Sequence, residues 1–297
     1  MRRGTYSIVA RDPATGELGV AVQSHWFSVG SVVAWARPGV GAVATQSVAE
    51  VAHGPNTLDR LEQGLDARAA MEAVLAEDGE ARYRQLGVVD ARGLAVSHTG
   101  ESCIACAGDA GGESFACQAN MMANETVPAA MADAYRGAQG DLAERLLTAL
   151  DAAQAAGGDL RGQQSAALLV VPAEGEPWRT RIEVRVEDHP DPLGELHRLA
   201  RLARAYEMAG QADELAGKGE HRRATELYVR AAELAPEADE LTFWAGLGMA
   251  GTDLVAGVDL IRRAAAAKPA WLTLLERLDA ELAPNAAAAR AALGEGP

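Results

Sequence analysis

A change of period at Asp188-His189-Pro190-Asp191-Pro192 constrains this chain more than any other feature. Upstream of it, short runs of β-branched and small residues alternate with Gly, Pro and Asp turns; downstream the spacing is helical. Two prolines, each with φ fixed and no amide hydrogen to donate, end the last strand and mark a hinge. The 297 residues therefore divide into a domain at 1–190 and a second at 191–297, both of ordinary size.

The first domain reads as strands, two helices, strands, two helices, strands. Tyr6–Ala10 and Leu18–Gln23 flank the turn Asp12-Pro13-Ala14-Thr15-Gly16 and predict an antiparallel hairpin. Ser31–Ala36 and Gly41–Thr45, split by Arg37-Pro38-Gly39, predict two more strands. Helices over 56–63 and 65–77 follow, then a second hairpin from Leu86–Asp90 and Leu94–His98. Short strands at Cys103–Ala107 and Ser114–Asn120, helices at 125–135 and 141–155, and strands at Gln164–Val171 and Arg179–Val186 complete the domain. Hairpins separated by helix pairs imply an α+β fold of two stacked sheets with helices outside, a four-layer αββα sandwich.

The second domain reads as a small all-α helical-repeat domain. Glu220–Glu233 and Leu260–Lys268, each closed by a nearby proline, match tetratricopeptide repeats with their period of ~34 residues. Leu199–Leu215 is their upstream helix. An Ala-rich helical bundle gives the same pattern.

Acidic side chains outnumber basic ones by 42 to 27, a net charge of −15, which argues against nucleic-acid phosphates or an anionic membrane surface as partner. No apolar run approaches the ~18 residues that cross a bilayer, and no apolar signal core follows Met1-Arg2-Arg3. The expectation is a cytoplasmic protein. Cys103, Cys106 and Cys117 are too few for a disulfide framework. With His98 they supply only one Cys-x-x-Cys pair, incomplete as a structural zinc motif. No glycine-rich phosphate loop is present, so neither metal nor cofactor is expected. The two lysines, Lys218 and Lys268, both lie in the second domain, which removes lysine as a catalytic base from the first.

Thr5–Ser24 resembles the start of the family called domain of unknown function 1028. So do Val29-Gly30, Trp35-Ala36-Arg37, Gly39–Gln46, Gly54-Pro55, Leu86–Asp90, His98-Thr99-Gly100, Gln118–Met121 and Gln164–Leu168. That family is placed with the N-terminal-nucleophile hydrolases, so the resemblance implies their αββα fold. In such enzymes a Thr, Ser or Cys stands first in the mature chain, and its own α-amine, with a pKa of ~7.7–8.0, is the base. Thr5 matches that position once Met1-Arg2-Arg3-Gly4 is removed.

Asn120, in Gln118-Ala119-Asn120, is the expected amide donor to the oxyanion. Ser47 or Ser24 paired with His25 is a second nucleophile that needs no processing. Gln46, His98, Gln118, Arg161, Gln164, Ser165, Asp188 and His189 stand at strand ends or in loops, as candidate substrate contacts. Asp188 either orients His189 or caps the helix that follows. The function expected is hydrolysis of a small amide or peptide-like substrate by a homo-oligomer, with a protein partner for the helical tail. The alternative is a non-catalytic scaffold whose tail binds peptides.

Overall fold

The computed structural model describes residues 4–294. The chain divides into two compact units, Met1–Ala200 and Arg201–Pro297. Eleven α-helices and ten strands lie among the described residues, and every strand pairing is antiparallel.

The first unit opens with β1 (Thr5–Arg11) and β2 (Leu18–Ser24). Asp12 closes their turn: its Oδ1 accepts from the Ala14 amide at 2.8 Å, and Gly16 takes a φ of +77°. A single helical turn, α1 (Gly30–Val33), precedes β3 (Ala34–Arg37) and β4 (Gly41–Ser47). The helices α2 (His53–Glu62) and α3 (Ala67–Ala76) lead to the hairpin β5 (Arg84–Asp90) and β6 (Ala95–Thr99). Asp90 closes that hairpin in the same way, accepting from the amides of Arg92 and Leu94 at 2.9 and 3.0 Å. Next come β7 (Gly108–Gly112), β8 (Phe115–Asn120), α4 (Val127–Gly137), α5 (Leu142–Ala155), β9 (Ser165–Val171) and β10 (Ile182–Val186).

Six strands form one sheet in the order β10-β9-β2-β1-β8-β7, and four form another, β3-β4-β5-β6. The sheets face each other. Their shared layer holds Val9, Val20 and Val22 against Ala42, Ala44 and Val89, side chains small enough for close stacking. By strand alternation, Val43, Leu86 and Val88 point the other way, onto Leu58, Leu61, Ala70 and Val74 of α2 and α3. On the far side, α5 packs against β1 and β2, and α4 against β7 and β8. The Tyr6 hydroxyl reaches Gln154 of α5 at 3.0 Å, and Phe115 of β8 meets Tyr135 of α4 with ring centroids 4.6 Å apart.

Three local expectations are corrected. Residues 31–36 are not one strand, because α1 takes the Ser31–Val33 stretch before β3 begins. Residues 103–107 form a loop in which Cys106 has a φ of +54°, outside strand geometry. The strand that pairs with β8 there is instead β7, Gly-Asp-Ala-Gly-Gly, whose glycines carry no strand signal.

Helix α6 (Pro192–Gly217) carries the chain into the second unit, which adds α7 (His221–Leu234), α8 (Asp239–Met249), α9 (Leu254–Ala267), α10 (Ala270–Arg277) and α11 (Ala286–Gly294). Its centre is aromatic: Phe243 stacks on Trp271 with centroids 4.9 Å apart, and the Trp271 indole donates to Asp239 at 2.8 Å. No described helix is long and apolar enough to cross a membrane.

Candidate active site

Register alone assembles a polar row at one end of the six-stranded sheet. Thr5 of β1 lies opposite Ser24 of β2 and Asn120 of β8, and Ser24 lies opposite Ser165 of β9. Directly opposed residues share a face, so all four belong to the inner face, and all four are fully buried. One step further in, Ser7 opposes Gln118, and across the gap Gln46 of β4 and Gln85 of β5 oppose each other.

These amides and hydroxyls form one network that joins the sheets below Thr5. Ser7 Oγ donates to Gln46 Oε1 and Gln118 Nε2 to Ser7 Oγ, both at 2.6 Å. Gln46 Nε2 donates to Gln85 Oε1 at 2.9 Å and to the Thr5 carbonyl at 3.3 Å. Asn120 Nδ2 donates to Gln85 Oε1 at 2.9 Å and to the same Thr5 carbonyl at 3.5 Å. Gly87 admits the network: a Cβ there would stand 2.2 Å from Gln118 Oε1.

Above the row sits the bond that precedes Thr5. Thr5 Oγ1 donates to Ser24 Oγ at 3.1 Å, and Ser24 Oγ donates to the Gly4 carbonyl oxygen at 2.5 Å. Arg161 Nη2 donates to that same oxygen at 3.0 Å. A neutral and a cationic donor thus converge on one carbonyl, while the neighbouring hydroxyl points its proton toward the first of them.

Arg161 is held by Asp159, whose carboxylate accepts from Arg161 Nη2 at 2.8 Å, from its Nε at 3.1 Å and from its amide at 2.9 Å. The His25 amide adds a fourth bond to Asp159 at 3.1 Å. The loop bearing both charges is stitched to the end of β8 by the Met122–Asp159 bridge and the Leu160 amide on the Met121 carbonyl at 3.2 Å. Met121, with a φ of +58°, directly follows Asn120, and Ser47, with a φ of +71°, directly follows Gln46. Non-glycine residues in the left-handed region gather where a site constrains the backbone.

A family model described as "Family of unknown function (DUF1028)" matches residues 5–196. The chain belongs to that family. Seven chains of solved structures match it. One of them is the crystal structure of protein SPO2555 from Silicibacter pomeroyi, described as DUF1028, with a TM-score of 0.62 and 32% identity over 67% of this chain and 86% of that one. No curated protein matches. The DUF1028 match starts at Thr5 and takes in every residue of the site except Gly4.

Of the residues named from sequence, the DUF1028 fold gathers Thr5, Asn120, Gln46, Gln118 and Arg161 here, with Ser24 among them and Ser165 beside it. Ser165 is occupied with the backbone of the next loop: it accepts from the Val29 amide at 3.0 Å and donates to the Trp26 carbonyl. Ser47 follows Gln46 with a left-handed φ of +71°, and its side chain hydrogen-bonds the Cys103 thiol instead of joining the network. His25 contributes its amide, while its Nδ1 faces the Gln163 carbonyl at 3.3 Å. No hydrogen bond pairs His25 with Ser47 or Ser24 among the described residues.

The side chains of the other candidates find partners outside the row. His98 meets the Ala81 carbonyl at 3.2 Å, Gln164, whose amide donates to the Ser24 carbonyl at 3.2 Å, gives its side chain to Asp188 at 3.0 Å, and His189 folds back on the Asp191 backbone. Asp191, not Asp188, caps α6 through the Gly194 amide at 3.0 Å. Asp159 and Gln85 escaped the sequence reading. Asp159-Leu160-Arg161 after Gly157-Gly158 was the available signal: opposite charges two apart in a turn fold onto each other. Among the described residues no three His, Cys, Asp or Glu side chains gather as metal ligands.

Proposed function

We propose that this chain is an amide hydrolase of the N-terminal-nucleophile type on an αββα sandwich, with Thr5 as nucleophile after the chain cleaves itself at Gly4–Thr5. The observation that carries the reading is the Gly4 carbonyl, which receives Ser24 Oγ and Arg161 Nη2 while Thr5 Oγ1 donates to Ser24. A peptide carbonyl inside a sandwich needs one donor. Two donors, one cationic, suit an oxygen that becomes negative, and a preorganised donor of this kind is worth about 3 kcal/mol in a barrier.

In the self-cleavage, Thr5 Oγ1 bonds to the Gly4 carbonyl carbon, and its proton passes through Ser24 Oγ to the oxygen taking up charge. The C–N bond then breaks, the proton ends on the Thr5 nitrogen, and Gly4 is left as an ester on Thr5. Water hydrolyses the ester, releasing residues 1–4 as a carboxylate and restoring the Thr5 hydroxyl beside the α-amine that the C–N cleavage has already freed. In turnover that amine takes the hydroxyl proton as Thr5 attacks the substrate carbonyl, and passes it to the leaving nitrogen. Asn120 and Gln46 hold the Thr5 carbonyl, and with it the nucleophile, in place. Thr5 is fully buried, and removal of Gly4 vacates the space beside it that a substrate's acyl group would enter.

The test is hydrolysis of small amide anilides by the purified protein and by Thr5→Ala. The expected result is turnover by the former, with a loss of at least a thousandfold in the variant. Equal turnover would overturn the assignment.

The helical tail supports a tetratricopeptide-like reading. α7 and α9 are each 14 residues long and begin at His221 and Leu254, one repeat of ~34 residues apart. An open groove along α6 and α7 is lined by Gln211, Leu215, Arg223, Leu227 and Arg230, the kind of surface on which helical repeats bind peptides.

A further inference from the structure

The space around Gly4 restricts what Thr5 can carry. A Cβ added to Gly4 would stand 2.7 and 2.8 Å from the two carboxylate oxygens of Asp159. That separation is too short for carbon against oxygen, but it is the length of a charge-assisted N–H···O bond. Asp159 has little freedom to retreat: its side chain is fully buried and holds four donors from Arg161 and His25. The ester left on Thr5 by self-cleavage is the same chemical species as an acyl-enzyme, with Gly4 as its acyl group. Gly4 therefore maps the substrate's acyl carbon and α-carbon, and the direction of its absent Cβ, distinct from that of its own nitrogen, maps one substituent position on that α-carbon.

We infer that the substrate is an amide whose acyl α-carbon bears a free amino group, read by Asp159, and that an alkyl group in its place is rejected. This rests on the assignment of Thr5 as nucleophile. The ammonium donates to the Asp159 carboxylate, while Arg161, bonded to the same carboxylate, faces the carbonyl oxygen. A methyl in the same position meets the carboxylate below van der Waals distance and strips it of solvent without a hydrogen bond in return. Hydrolysis adds water across the bond: Thr5 Oγ1 displaces the leaving amine, which departs with the proton held by the Thr5 α-amine. Water then opens the ester to give the free amino acid.

The measurement compares glycyl p-nitroanilide with propionyl p-nitroanilide, in which a methyl replaces the ammonium, on protein that begins at Thr5. The expected kcat/KM ratio favours the glycyl amide at least tenfold, and Asp159→Asn, prepared with Thr5 exposed by a protease site placed ahead of it, narrows the ratio toward one. A propionyl amide hydrolysed as fast as the glycyl one would overturn the inference and leave the nucleophile intact. An undiminished glycyl preference in Asp159→Asn would overturn the role of Asp159. Turnover of neither amide would overturn the inference and the hydrolase assignment together.

Discussion

Gly4 is the residue whose identity the site tolerates least. Its carbonyl is held from two sides, and its α-carbon faces a carboxylate that cannot move away. Gly4→Ala is therefore expected to slow self-cleavage at least tenfold, read by intact mass over time, while the rest of the fold persists. Asp78 carries a second residue-scale prediction. Hydrogen bonds from Arg84 hold its carboxyl well below the usual range, outweighing burial, and His53 adds to the effect at 2.9 Å.

Because the folded pKa is depressed, the stability Asp78 contributes is present above the unfolded carboxylate pKa of ~3.9 and is lost as pH falls toward the folded value. Asp78→Ala leaves Arg84 nearly buried without its partner and should cost roughly 3 kcal/mol at neutral pH. The variant should also show a flatter fall of stability on acidification than the parent, measured by urea unfolding between neutral and acid pH. At this scale residue type and position name Thr5, Asn120 and Arg161 but put Asn120 on the oxyanion, whereas its Nδ2 donates to Gln85 and to the Thr5 carbonyl, and the Gly4 oxygen receives Ser24 and Arg161. The left-handed φ of Ser47, with its side chain on the Cys103 thiol, carries no signal in residue type or period. Asp159 was invisible because its importance comes from a loop folding onto β8, a contact far away in sequence.

Among the elements, those with strong caps and periodicity were read closely. α5 starts one residue after its expected boundary because Asp141 and Glu144 form a reciprocal capping box, in which Asp141 Oδ1 accepts from the Glu144 amide at 3.0 Å and the Asp141 amide donates back at 3.2 Å. Asp141 also receives Arg181 Nη2 at 3.0 Å. Asp141→Ala should lower stability by about 1 kcal/mol for the cap, seen as a lower unfolding midpoint with an unchanged denaturant slope. β7 escaped notice for the opposite reason. Its glycines have no propensity for extended structure, and only the neighbouring β8, with Asp109 accepting from Ser97 and Thr99 at 2.8 and 2.6 Å, makes it a strand. In α1, Val32 and Val33 favour a strand, yet packing against β4 and β9 overrides that preference.

At the scale of the whole molecule, the alternation of hairpins and helix pairs announced two antiparallel sheets with helices, and the proline hinge announced the change to an all-helical region. The row of Thr5, Ser24, Asn120 and Ser165 follows from strand order, which no single segment encodes: β1 and β8 are neighbours across 115 residues of chain. Every residue assigned to the reaction, from Gly4 to Arg161, lies in the first unit. A chain ending at Gly217, the end of α6, should therefore self-cleave at the same rate as the full chain within a factor of about three, checked by intact mass of both.

N-terminal sequencing of the purified, incubated protein, together with its intact mass, tests the central claim most directly. The account predicts a chain that begins at Thr5 in the parent and keeps Gly4 in Thr5→Ala. Retention of Met1 or Arg2 in the parent after prolonged incubation at neutral pH would contradict it.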